Sequence, residues 1–600
     1  MKFHFSAAAT LVMSVAAAYS MAATAAVTDG VYEGEAHGRN APVKVSVTVK
    51  DGKIADVKVI DQKETKGISD AALKNIPKEI VESQSTKVDV VSGASLTSKA
   101  IIGATAASLA KAGATQKDFA KKVPHKSLAG SPAKEVDTDI LVIGGGNAGI
   151  TAAVRGVLQG KKVILIEKRA AVGGVSALNH GGFVALGTRY QREVMKETKD
   201  SPELLYKDML RSGRNLNDPV VAHMVTQMTG KVGDWLIDDL KFPYGAAWVK
   251  FPDHSADRQI SIKGNSVKYQ QLMLDIYKKH GGVIMTDMRA NKFMTKGHGV
   301  VGVKANGLYG QPYTFKAKSF VLASGGFGAN RNNFKDKKAH VLFYGLPTET
   351  GDGLRMGREI GADTLNLELA TTYPNGVEVQ PGRSIDTTGS SRFAVKKNAI
   401  FVDATGKRVI NENASLAALA QATLKAPGHL LYLVMDKQGY DTYVKKAIDD
   451  HTFTSPAVFE SWKTLINNGR PAHCEGTLEA CAKTMGINPK GLLAQVAQWN
   501  SEVKAGKDTQ FGRTNLHAIG EGPYHIIEQK ARYQTTLGGL RANAQLQIVD
   551  KSGKPFKNLY GAGCVVGGAN GAHPLPAMMN TWAIVSGYVA GDNAVKNASK

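Results

Sequence analysis

"DTDILVIGGGNAGITAAVRGVLQGKKVILIEKR", residues 137–169, decides the fold. An apolar run (ILVI, 140–143) meets Gly144, Gly146 and Gly149 in G-x-G-x-x-G register; a small-residue helical stretch follows, then a second apolar run ending on Glu167. Strand, glycine turn, helix and strand in that order make a βαβ unit. Its glycines permit a tight turn and let the backbone approach a pyrophosphate at the helix N-terminus. Glu167, closing the second strand, is placed to accept from ribose hydroxyls. The stretch predicts a dinucleotide-binding domain.

Working outward, a chain of 600 residues, 43% of them hydrophobic, accommodates two to four domains and a large core. Residues 1–26 read as a signal peptide: Lys2 precedes an apolar, alanine-rich run, and Ala23-Thr24-Ala25 is a small-x-small cleavage pattern. Ser14, Tyr19 and Ser20 interrupt that run, which falls short of the ~20 strongly apolar residues a membrane span needs. With no twin arginine, the expectation is export of an unfolded chain to the periplasm, with cofactors loaded there. Lys and Arg number 75 against 52 Asp and Glu, a net +23, which favours anionic substrates or an acidic redox partner. The charges are scattered, without basic runs interleaved with aromatics, so nucleic-acid binding is not expected. Of three cysteines, Cys474 and Cys481 are spaced for a small disulfide loop, with a loop-entropy gain of about 2–3 kcal/mol; two free thiols is the open alternative. No C-x-x-C-H occurs, so the chain carries no c-type haem of its own. No metal site is expected.

Residues 27–118 alternate short strand-like runs with a helical tail (SKAIIGATAASLAKA) and read as a small α+β module. A polar linker spans 119–136. The dinucleotide-binding domain comprises 137–371 and 526–600, interrupted by a mixed, longer-looped cap at 372–525.

Four later segments carry a resemblance: GGVSALNHGGF (173–183), VLASGGFGAN (321–330), TGDG (350–353) and LYGAGCVVGG (559–568). Together, in this order, they resemble the flavoprotein family of fumarate reductases, urocanate reductases and 3-ketosteroid dehydrogenases. The resemblance implies an α/β fold: an FAD-binding Rossmann-like domain with an inserted α+β cap, preceded here by a small α+β FMN-binding domain. It implies FAD held by Gly144, Gly146, Ala148, Gly149 and Glu167, by Val175, Ser176, Gly181 and Gly182, and by Ala290 and Asp352. Gly563, Cys564, Met579 and Asn580 complete the expected set. Covalent members carry FAD on a histidine where this chain has Val175, so FAD is expected to be non-covalent, and His180 to be structural.

"VDVVSGASLTSKA" (88–100) resembles the flavinylation motif of exported FMN-binding domains, in which a flavin transferase links FMN phosphate to the last hydroxyl, here Ser95. A hydroxyl on a glycine-loosened turn with small neighbours suits that attachment; capping of the following helix by Ser95 or Thr97 is the plain alternative. Two flavins in an exported chain imply electron entry through FMN to FAD from a multihaem or quinol-oxidising cytochrome.

The active-site cations of the fumarate reductases are missing. KRVINENASLAALAQ keeps Asn411-Glu412 but has Leu416 where the acid arginine would stand. Tyr373 replaces the first histidine, Thr535 the second and Pro574 the last arginine. Two desolvated carboxylates without charged partners would be costly, which argues against fumarate. His573-Pro574-Leu575-Pro576-Ala577 resembles instead the Tyr-Pro-Gly-Pro-Gly of 3-ketosteroid dehydrogenases, with His573 placed to donate to a substrate carbonyl. Tyr373 and Tyr533 are the proton-donor candidates, and Arg392 is the candidate for holding one carboxylate. Arg541 is expected to face solvent. The expected reaction is reduction of a C=C bond conjugated to a carbonyl or single carboxylate in a small unsaturated acceptor of arylacrylate, urocanate or enone type. Oxidation of a neutral ketone, as in ketosteroid dehydrogenases, and electron transfer without a small substrate stay open.

Overall fold

The computed structural model describes residues 27–600 apart from 39–40, 65–68, 92–93, 116, 124–126, 247–252, 335–340, 381, 450–451, 453–461, 463–465 and 468, and apart from the side chains of Ser95, Gln380, Ile466 and Asn467. The expected signal peptide lies outside the described residues.

In the N-terminal module, β1 (Gly30–His37), β2 (Pro42–Lys50) and β3 (Lys53–Asp61) form an antiparallel sheet in sequence order. Alternation along β2 buries Val43, Val45, Val47 and Val49 on one face. That face packs with Ile76 and Ile80 of α1 (Asp70–Ser83) and Ile101 and Ala104 of α2 (Ser95–Lys111), a separate core under two helices.

The FAD module is built on β4 (Lys134–Ile143). Its last four residues are all buried, the continuous apolar pattern of a strand covered on both faces. It pairs in parallel with β5 (Val163–Ile166) on one side and with strand Pro312–Leu322 on the other, which in turn pairs in parallel with Pro555–Gly561. Between β4 and β5 runs α3 (Asn147–Leu158), ten of whose twelve residues are buried, packed against the C-terminal helix Met578–Ala598.

The cap has its own seven-stranded sheet, with Tyr524–Thr536 paired to Ala370–Gln380, Leu430–Asp436 and His473–Gly476. The boundary expected at 525 falls inside this strand. Composition changes after 525, but the strand's ladder bonds run to Thr536, pairing it with Ala370. Cys474 and Cys481 form a disulfide that ties strand His473–Gly476 to the following helix Leu478–Met485. Among the described residues no helix is long and apolar enough to cross a membrane.

Glu412, singled out with Asn411 from the sequence, is part of the cap's charged core. Its carboxylate takes Arg408 Nε and Nη2 at 2.8 and 2.6 Å and Arg513 Nη1 at 3.4 Å, while Arg408 also pairs with Asp508 at 3.0 Å. The Arg408, Glu412, Asp508 and Arg513 side chains have no solvent exposure. Removing one member leaves uncompensated charge in the interior. Arg408→Met should therefore destabilise the protein by about 3–5 kcal/mol in urea denaturation.

Candidate functional site: the flavin cleft and the cap strand above it

Ligands of parallel sheets bind beyond the carboxyl ends of the strands. Here the loops after β4, after Pro312–Leu322 and after Pro555–Gly561 come together at that edge. Gly144 (φ +109°) donates its N–H to Ile166 O at 2.8 Å, and a Cβ on it would collide with the Ala323 carbonyl. Gly146 caps α3, and Gly149 lies directly against the Gly144 carbonyl. Glu167, 7% exposed, takes the Gly145 N–H on one oxygen (2.8 Å) and the Arg169 N–H on the other (2.9 Å), which pins the glycine loop to the end of β5. Each oxygen keeps a lone pair for a hydroxyl.

Asp352 opens helix Asp352–Glu359 behind Gly351 and is held by Lys168 Nζ (3.0 Å) and by Arg289 Nη2 (2.8 Å), next to buried Ala290. Burial works to raise its carboxyl, but the Arg289 hydrogen bonds and the Lys168 charge outweigh it and hold the group down at about 2. Lys168 and Arg289 belong to the site and were not marked by any motif.

The segment 173–183 is tied to the C-terminal helix through a buried amide network. Asn147 Nδ2 donates to Asn580 Oδ1 and to Ser266 Oγ, both at 2.8 Å, and Asn147 Oδ1 accepts from Gln270 at 2.7 Å. Asn580 Nδ2 donates to Gly182 O at 2.8 Å; Ser176 Oγ accepts from Asn147 N at 3.3 Å. Val175 begins a short 3₁₀ turn and offers no nucleophile. Gly181 (φ +74°) leaves no space for a side chain beside Ile262, while Gly182 faces Ala577, itself left-handed at φ 66°. His180 is exposed. On the opposite wall a Cβ on Gly563 would come 3.0 Å from Ala148 Cβ, Gly563 N–H donates to Ser586 Oγ, and Trp582 Nε1 donates to Gly563 O. Met579 Sδ accepts from Asn570 at 3.3 Å. Burial pushes the Cys564 thiol up to about 12, so it stays protonated.

On the substrate side the expected residues separate. Tyr373 stands directly across the ladder from Arg532, so their side chains share one face of the cap sheet. Arg532 is 2% exposed and lies 4.1 Å over the Tyr344 ring and 5.3 Å from Tyr373. Its Nε donates to Pro374 O (3.1 Å), and Nη2 bonds Thr388 Oγ1 (2.9 Å) and Asp386 (2.5 Å); Nη1 is buried with no hydrogen-bond partner. Burial raises the Tyr373 hydroxyl above its ordinary range while Arg532 pulls the other way, so it holds its proton.

Two candidates are corrected. Tyr533 is fully buried among Phe334 and Phe343, and its hydroxyl proton is already given to Gly328 O at 2.6 Å, a packing role. Arg392 is exposed on helix Thr388–Lys397; in a helix only some positions face inward, and those are Ser390, Ser391, Ala394 and Val395. Arg541 is half-exposed and pairs with Asp363 and Asp218. Arg532 was legible only as one of three charges, Glu528, Lys530 and Arg532, at alternate positions of a strand, separated by Gln529 and Ala531. His573 is partly buried in the turn before the C-terminal helix, and burial together with Arg214 lowers its imidazole below the ordinary range, leaving it neutral at pH 7. That turn is held by His254, whose Nε2 lies 3.0 Å from Pro576 O, and by Ala572 N donating to Gly213 O. In the N-terminal module Ser95 is the first residue of α2; Thr97 bonds buried Glu64, and Ser98 Oγ accepts from Val91 N at 3.0 Å.

A glycine cradle with no space for side chains, a carboxylate at the second strand end and a second helix N-terminus closing the cleft define an FAD-dependent oxidoreductase. Residues 139–578 match the FAD binding domain family and residues 38–110 the FMN-binding domain family, and the chain belongs to the former, with a second flavin-binding module ahead of it. It is similar to urocanate reductase of Eggerthella lenta, 29% identical over 94% of this chain and 92% of that one. It is similar also to the cytochrome-type fumarate reductase of Shewanella frigidimarina, 29% identical over 80% and 81%. The open conformation of a flavocytochrome c3 fumarate reductase superposes with a TM-score of 0.65 at 27% identity, covering 81% and 84%.

Gly149→Val should give folded protein that retains little FAD, read as a collapse of the 450 to 280 nm absorbance ratio. The folded carboxyl of Asp352 sits near 2, below its unfolded 3.8. Its contribution is therefore full above pH 3.8 and lost as pH falls through 2. Asp352→Asn should abolish that part of the acid limb in thermal melts across this window.

Proposed function

We propose that this protein is an exported respiratory reductase that saturates a C=C bond conjugated to a single carboxylate or a carbonyl, of urocanate, arylacrylate or enone type, and not the dicarboxylate fumarate. The observation that carries this reading is the buried Arg532 guanidinium between two tyrosines, with Nη1 left unpartnered beside Tyr373. Its other nitrogens are taken by the cap, so it offers one cationic edge and can anchor one carboxylate through a charge-assisted bond. The four positions at which the fumarate reductases carry their active-site cations are here Leu416, Tyr373, Thr535 and Pro574, none of them charged. The Tyr344 and Tyr373 rings suit a planar, conjugated acceptor.

FAD, when bound, supplies hydride to the β-carbon, and FMN on the first module passes electrons toward it. Tyr373, kept protonated by burial, gives its proton to the α-carbon. His573, neutral, donates an N–H to the carbonyl oxygen where charge develops. Ser95 carries FMN: the neighbouring hydroxyls of Thr97 and Ser98 are consumed inside the fold, and Ser95 opens a helix, where a phosphate is favoured. A flavin transferase attaches it, and a quinol-linked or multihaem cytochrome in the periplasm delivers the electrons. That the Eggerthella relative is a urocanate reductase supports a substrate with one carboxylate.

The test is anaerobic reoxidation of reduced protein by a panel of unsaturated acids and enones. Arg532→Met should raise KM for monocarboxylic acceptors about 10–100-fold, as loss of a charged hydrogen bond does, and leave enones untouched. Tyr373→Phe should lower kcat about 10²–10⁴-fold with little change in KM, and Arg392→Ala should change neither. Unchanged KM for the acids in Arg532→Met overturns the carboxylate reading.

A further inference from the structure

The cleft contains one carboxyl group that no motif accounts for. Glu349 lies in the loop between strand Leu342–Phe343 and helix Asp352–Glu359, fixed by its own backbone: its N–H donates to Leu346 O at 3.1 Å and its C=O accepts from Ala329 N at 3.0 Å. The residue is 8% exposed. One side of the carboxyl meets the turn after strand Pro312–Leu322, where it takes the Gly326 N–H and where a Cβ on Gly325 would stand 3.9 Å from Oε1. Cys564, in the turn after strand Pro555–Gly561, feels its charge. Oε2 is buried and has no hydrogen-bond partner.

Such a group is expensive. An unsatisfied buried acceptor keeps its full desolvation penalty, and buried polar atoms are satisfied in the great majority of cases. Lys168, whose charge reaches Glu349, is held by Asp352 and Thr350 at 3.0 Å each. Burial pushes the Glu349 carboxyl up to about 8, outweighing the Lys168 charge and the Gly326 N–H, which pull it down. Ser324 Oγ, on the same strand-end loop, is likewise buried without a partner.

Two glycine turns that cradle the cofactor therefore flank an orphaned carboxyl. The pyrophosphate of FAD has only acceptors and negative charge, so it could accept from the protonated carboxyl but would be repelled by the carboxylate, and it would leave the acceptor capacity of the group unmet. The adenosine ribose belongs to Glu167, at the end of the neighbouring strand β5. The remaining part of FAD that can satisfy a carboxyl is the polyhydroxylated ribityl chain, since a hydroxyl both donates and accepts and so can bond the group in either protonation state.

We propose that Glu349 is an FAD-binding residue, with its buried Oε2 hydrogen-bonded to a ribityl hydroxyl of the cofactor. The cost of the orphaned oxygen is then met only in the holoprotein, and Glu349 reduces the stability of the apoprotein in exchange for cofactor affinity.

The experiment uses the full chain, freed of FAD and rebound. Glu349→Leu should melt at the same temperature as wild-type apoprotein or above it, should lose most of the rise in Tm that FAD confers, and should bind FAD 10- to 100-fold more weakly by fluorescence titration. Glu349→Gln, which keeps an acceptor and a donor, should bind FAD within a few-fold of wild type. FAD analogues deoxygenated at single ribityl carbons name the contact: wild type should discriminate against one of them by at least tenfold, and Glu349→Leu should not. Wild-type FAD affinity in Glu349→Leu, or a lowered apoprotein Tm with unchanged FAD affinity, overturns the assignment. So does a wild type indifferent to every deoxy analogue, a measurement that stands even where the leucine variant fails to fold.

Discussion

A buried hydrogen bond of 2.8 Å between Asn147 and Asn580 joins the first turn of the nucleotide-binding helix to the first turn of the last helix. The cleft depends on it. Each helix N-terminus leaves backbone N–H groups unsatisfied and carries partial positive charge, so bringing two together makes a pole that favours electron-rich groups. The same amides reach Gln270, Ser266, Asn179 and the Gly182 carbonyl, so the segment 173–183 is positioned by the junction and not by local turn preference alone. Van der Waals crowding completes it: Gly587 and Gly591 of the last helix meet the backbone of α3 at Ala148 and Ala152, where no larger residue fits.

Charge is used differently in the cap. There, Arg408, Glu412, Asp508 and Arg513 form a closed set; in the FAD-binding part of the chain Arg258, Asp200 and Asp208 do the same, at 2.6 and 2.7 Å. Lys530 is paired with Glu378 at 2.6 Å. These ions are fully partnered and hold the scaffold. Arg532 differs because one of its nitrogens is left over beside two tyrosine rings.

The parts of this arrangement that were legible in the sequence are those whose physics is local. A tight turn and a close backbone approach need glycine at fixed spacing, so Gly144, Gly146 and Gly149 could be placed without knowing what they touch. The strand-like runs and helical tail of residues 27–118 were legible as a small α+β module. The same reasoning misjudged Arg392 and Tyr533. Helical phase turned Arg392 outward, and a carbonyl more than two hundred residues away, at Gly328, took the Tyr533 proton. The end of the cap was misplaced at 525 because nothing in the composition marks a central strand continuing to Thr536; its extent is set by pairing with Ala370–Gln380.

By itself, then, the sequence determined that the chain builds a βαβ dinucleotide cleft and that Val175 offers no nucleophile, since each rests on residue identity at a position or on spacing of a few residues. Only the tertiary structure decided which cation and which acid are buried with one atom left unpartnered. Arg532 and Glu349 look in sequence like any other charged residues; burial and the partners they lack distinguish them, and those depend on strands and loops that are far apart in the chain.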